Sequence, residues 1–181
     1  MGAIKNIQEK LGRFILKKES KNIQRNVKAF SIDNASTIGI VYDATNRNDA
    51  EIVKNFVQYF KEERKDVLSI GFINSKDSSE VVTSHLNYVY FDKKNLSSTN
   101  VPKGNEVENF INKPFSILID LNINDCFPIE YINSLSNAKF KVGAKGSYRD
   151  DVCDLVIDID ENNKIEYLII QLKRYLKMIK N

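Results

Sequence analysis

The chain has 181 residues, 42% hydrophobic and 28% charged, with a formal net charge of +3. That is enough apolar material for one domain with a full core, and an ordinary charge content for a soluble protein. No apolar run reaches the length of a bilayer span, and the N-terminus lacks the uninterrupted apolar segment of a signal peptide, so the expected location is the cytoplasm.

Of the 27 basic and 24 acidic residues, eight and two fall in residues 1–30, leaving 19 and 22 for the rest. A basic leading segment therefore precedes a mildly acidic body. The expected division is a helix over residues 1–30 and a single α/β domain over 31–181. Ile4, Ile7, Leu11, Phe14 and Ile15 mark an apolar stripe at helical spacing, which Ile23, Val27 and Phe30 continue. The spacing predicts one long helix over residues 3–29, or a helix broken near Glu19 to Asn22. Its stripe is expected to pack on the body or on a second copy, giving a homo-oligomer or a protein partner. Nucleic acid or an anionic membrane is the less favoured partner, because aromatic residues are not interleaved with the basic ones.

Ser36 to Tyr42 reads as the first strand. Asn48, with Glu51 three residues on, is the expected cap of the helix carrying Ile52, Val53, Phe56, Val57 and Phe60. Val67 to Ile73 is the second strand and Leu86 to Phe91 the third. A short helix around Val81 can lie between them. Asp92 to Asn105 reads as a loop, and Glu106 to Ile111 as a short helix.

The clearest unit follows. Ser116 to Leu121 is a nearly all-apolar run of the kind buried on both faces in a parallel sheet. Pro128 suits the first turn of a helix bearing Ile129, Ile132 and Leu135, and Ala138 to Gly143 alternates apolar and basic residues as a strand. This is one βαβ unit. Cys153 to Ile159 is a last strand, and Ile165 to Ile179 an amphipathic terminal helix. The expected fold is a three-layer, Rossmann-like α/β protein with a mostly parallel sheet of about six strands.

Ligands of open α/β sheets bind at the carboxyl ends of the strands. Asp43 and Asp120 stand at two such ends and are expected on neighbouring strands. Beside them, Gly143, Lys145 and Gly146 form a turn whose backbone N–H groups can make an anion-binding nest. These five residues are the candidate ligand site. The bland alternatives are helix-capping aspartates and glycines that serve a tight turn. G-x-G-x-x-G, the P-loop and the nucleophile elbow are all absent, His85 is the only histidine, and Cys126 and Cys153 are far apart. No catalytic residue, metal ligand or cofactor is expected, and both cysteines read as reduced thiols in or near the core.

The stretches FDKKNL (91–96), FINKPFSILIDL (110–121) and LSNAKFKVG (135–143), with the basic leading helix, resemble an uncharacterised family of small α/β proteins from Bacteroidetes, a domain of unknown function. Residues 115–143 alone are similar to one half of heptosyltransferase-like glycosyltransferases. There, however, a glycine follows the Asp-Leu pair where Asn122 and Ile123 stand here, and the nucleotide-sugar half has no counterpart. The first expectation is therefore a non-catalytic protein that binds a partner or itself. The alternative is a small-molecule or sugar-phosphate binder, or enzyme, with its site at the strand ends.

Overall fold

A computed structural model of the chain describes residues 2–75 and 85–180, with side chains from Ile7 onward. The expected short helix around Val81 lies outside the described residues. Short apolar runs bounded by turn-forming residues give the strands β1 (Thr37–Asp43), β2 (Asp66–Ile73), β3 (Tyr88–Asp92), β4 (Ile117–Asp120), β5 (Phe140–Ala144) and β6 (Leu155–Ile157). All pair in parallel, in the order β3-β2-β1-β4-β5-β6. The strand order therefore reverses between β1 and β4, where Val41 pairs with Asp120.

The helices are α1 (Gly2–Ser20), α2 (Arg47–Glu62), α3 (Asn105–Asn112), α4 (Phe127–Leu135), the short α5 (Arg149–Val152) and α6 (Ile165–Met178). On one face of the sheet, Ile38, Ile40 and Ile119 meet Val53, Phe56 and Phe60 of α2 and Leu168 and Leu172 of α6. On the other, Val41 and Leu118 meet Phe110 of α3 and Ile129 and Ile132 of α4. Each such aliphatic side chain contributes about 1.5–3 kcal/mol by leaving water. Consecutive residues of one strand thus serve opposite layers, and both layers are apolar near the sheet centre.

Two local expectations are corrected. The cap of α2 is Asn46 rather than Asn48: its Oδ1 accepts the backbone N–H of Asn48 at 2.8 Å, so the helix begins two residues earlier. The leading helix ends at Ser20, inside the expected break, and residues 23–30 carry no regular secondary structure instead of a second helical stretch. There Lys28 N–H donates to Lys139 O at 3.1 Å, and Arg25 Nε donates to Ala138 O at 2.8 Å. Backbone groups of the body satisfy the segment that periodicity alone assigns to a helix.

Helix α1 forms an outer layer on α4. Gly12 faces inward, and a Cβ there would stand 2.4 Å from Thr99 O and 2.7 Å from the Phe127 ring. Glycine costs a helix interior about 1 kcal/mol relative to alanine, and here it permits the close approach. Leu16 buries against Phe127, Tyr131 and Leu135. Arg13 Nη1 reaches Glu130 of α4 at 2.5 Å, and Tyr131 donates to Glu19. Of the two seats expected for the stripe, the body is not the one used: Ile7, Leu11 and Phe14 are exposed.

Candidate functional site

Because β1 and β4 are neighbours, the loops that follow them diverge to opposite faces and leave a crevice between. The crevice has a volume of about 740 Å³. The loop after β1 supplies Asp43, Thr45 and Asn46, and the first turn of α2 supplies Asn48 and Asp49. The loop after β4 supplies Leu121 to Asn124, and residues 163–166 at the start of α6 close the far wall.

The walls hold themselves by hydrogen bonds from short polar side chains. Thr45 N–H donates to Asp43 Oδ1 at 2.9 Å, and Asn74 N–H donates to Thr45 Oγ1 at 2.9 Å. Asp43 N–H donates to Asn122 Oδ1 at 2.7 Å, tying the two loops across the reversal. Asn122 is only 4% exposed, and its Nδ2 has no partner among the described residues. Buried polar groups are rarely left so, since an unpaired donor costs about 1–3 kcal/mol.

The lining carries three carboxylates, Asp43, Asp49 and Glu166, against one cation, Lys164, together with five asparagines. Asp49 and Glu166 sit in the first turns of α2 and α6, where acidic residues complement the helix dipole. That accounts for each one singly. Together they strain one another: burial first, then the charges of Glu166 and Asp43, holds the Asp49 carboxyl above its usual range. Among the described residues no group of three or more His, Cys, Asp or Glu is arranged to hold a metal ion.

Of the five residues expected to form the site, the structure brings Asp43 to the crevice. Asp120 stands on the neighbouring strand but is 0% exposed. Its side chain faces α4, accepting from Asn122 N–H at 2.9 Å, from Asn133 Nδ2 at 2.9 Å and from the Tyr148 hydroxyl. Burial raises its pKa. Gly143 pairs with Asp120, and a Cβ there would lie 3.2 Å from the Arg149 side chain. Gly146 has φ +140°, and its N–H donates to Asp150 at 3.0 Å. Lys145 Nζ is engaged by Asp158 at 2.9 Å. The glycine turn therefore wraps the buried Arg149, which donates to Ala144 O and Ile123 O. His85 is exposed at the entry to β3 and does not line the crevice. Cys126 and Cys153 are free thiols, both pushed up to about 12 by burial.

A polar layer beneath α4 continues from Asp120. Lys141, only 1% exposed, donates to Asn133 O at 2.5 Å and to Ser134 O at 3.1 Å, capping the end of α4. Burial, with nearby Arg25, pulls its pKa down to about 7. Lys141 and Tyr148 also line a second groove of about 530 Å³ under α1, where Arg13 is paired to Glu130 and Arg25 to Asp154. The sequence reading missed Asn122, Asp49 and Glu166. Asn122 had one signal, its place directly after a strand-ending Asp-Leu. The other two read as ordinary helix-start acids.

The chain belongs to a family of unknown function, DUF6913, which it matches over residues 8–179. No curated protein and no solved structure matches it. Among the described residues no helix is long and apolar enough to cross a membrane.

Proposed function

We propose that the protein binds a small hydroxyl-rich molecule, neutral or cationic, in the crevice between β1 and β4. The observation that carries this reading is Asn122, a residue of the crevice lining whose amide is fixed through Oδ1 and whose buried Nδ2 has no hydrogen-bond partner among the described residues. Around it, carboxylates accept from hydroxyls or an amine, and the asparagines offer both donors and acceptors. Three carboxylates against Lys164 disfavour a phosphorylated ligand. This reading follows the alternative expectation from the sequence, a small-molecule binder with its site at the strand ends, rather than the first, a protein that binds a partner or itself. The unpaired thiols Cys126 and Cys153 support a reducing compartment such as the cytoplasm.

A thermal-shift panel of glucose, glucosamine, ribose and glucose 6-phosphate tests the class. At a hundredfold excess over Kd, a fitting ligand adds about 2.7 kcal/mol, or about 5–10 °C in Tm. Glucosamine should act most strongly and glucose 6-phosphate least. Asn122→Asp keeps the acceptor for Asp43 N–H and removes the donor, so it should abolish the shift. Asn163→Ala, at the exposed rim, should weaken the shift without altering the unliganded melt. A larger shift with the phosphorylated sugar, or an unchanged shift in Asn122→Asp, would overturn the reading.

A further inference from the structure

The outward face of α1 is apolar and basic at once. Ile7 is 58% exposed, Leu11 51% and Phe14 70%. At i, i+4 and i+7 they make one line along the helix, and Lys18 extends that line by a further turn. Lys10 and Lys17 fall along one edge of the same face. None of these three lysines has an ion-pair partner among the described residues. Both acidic residues of the helix are engaged elsewhere: Glu9 holds Arg13 at 2.9 Å, and Glu19 accepts from Tyr131. The sorting is enforced by Gly12 and Leu16, which lock the opposite face on α4.

We propose that this face rests on an anionic lipid surface, with Ile7, Leu11 and Phe14 entering the acyl boundary and Lys10, Lys17 and Lys18 at the headgroups. An in-plane helix of this kind needs an apolar line and flanking cations. Charge decides against the other occupants. A second copy packed on the same face would set lysines against lysines. A nucleic acid would meet the lysines and leave three apolar side chains in water. The helix lies on the surface and does not span it, because its other face is committed to the protein. The cytoplasmic leaflet carries the required negative charge.

Co-sedimentation of the full chain with vesicles tests this. One set is phosphatidylcholine alone, the other contains phosphatidylserine at about one part in three. Binding should appear with phosphatidylserine and fall at least about tenfold without it. Replacing Lys10, Lys17 and Lys18 together by Gln should weaken binding by about a hundredfold, at roughly one tenfold step or less per lysine. Leu11→Ser with Phe14→Ser should also abolish binding, with an unchanged melting temperature, since neither side chain is buried. Equal binding of the wild type and the Leu11/Phe14 double variant would overturn the proposal. So would absence of binding to phosphatidylserine vesicles. A concentration-dependent doubling of mass that the double variant loses, without lipid binding, would assign the face to a second copy instead. Oligonucleotide binding that the double variant retains, without lipid binding, would assign it to a polyanion.

Discussion

Asp43 and Asp120 are alike in sequence and opposite in use. Each ends an apolar strand, and the two strands are neighbours in one sheet. Asp43 is half-buried in the crevice wall, where its carboxylate caps the turn at Thr45. Asp120 is sealed under α4, where three donors converge on it. The difference comes from what covers each strand end. Beyond β1 the chain turns away into α2 and leaves the crevice open beside it. Beyond β4, helix α4 is itself roofed by α1, so even Glu130, which meets Arg13 of α1, is buried. A strand-end carboxylate in a switch-point fold is thus a site candidate only after the layer above it is known.

Replacing the two residues by alanine separates them most sharply. Asp120→Ala leaves the donors of Asn122, Asn133 and Tyr148 without a partner in a dry layer and should cost about 3–5 kcal/mol. Asp43→Ala loses one local turn contact and should cost about 1 kcal/mol. Urea unfolding of both variants reads the contrast. Equal costs would mean that Asp120 is no more than a capping residue.

Lys141 gives the buried layer a pH signature. Below about pH 7 it is charged in both folded and unfolded chains. From about pH 7 to its ordinary 10.5 the unfolded chain holds a proton that the folded chain has released, so stability rises with pH across that window. Lys141→Met should flatten that rise in melting curves taken at successive pH values. A slope unchanged by the substitution would place the effect elsewhere.

The crevice should respond in the opposite sense and more weakly. Asp49 has a raised pKa, so its burial costs nothing in acid and acts against folding once the carboxyl ionises. Asp49→Asn should therefore raise stability at neutral pH by no more than about 0.5 kcal/mol and leave it unchanged near the acid end. A loss of stability at neutral pH would show that the carboxylate is held by a partner rather than opposed by Glu166 and Asp43.

The sheet was legible because its strands are short, β-branched and separated by helical periods, which places Asp43 and Asp120 on adjacent strand ends without a structure. The layer above them was not legible. The alternation in AKFKVG reads as a half-exposed strand, yet Lys141 is buried, because the covering helix ends on it and offers two carbonyls. The apolar stripe of α1 reads as a face packed on the body or on a second copy, yet a glycine sets the face docked on the body and leaves the stripe exposed. Gly143 and Gly146 suit an anion nest in sequence and in the fold make room for the Arg149 side chain. None of the three outcomes is set by periodicity alone, since each depends on how side chains pack in three dimensions.

The crevice lined by Asn122, rather than the glycine turn, is the proposed seat of the ligand. Titration of isotope-labelled protein with glucosamine, followed by amide NMR, tests it most directly. Binding in the crevice should shift Asp43, Thr45, Asn122, Asn124 and Lys164, with Lys145 and Gly146 unmoved. Shifts centred on Gly143 to Gly146, with Asn122 silent, would contradict it.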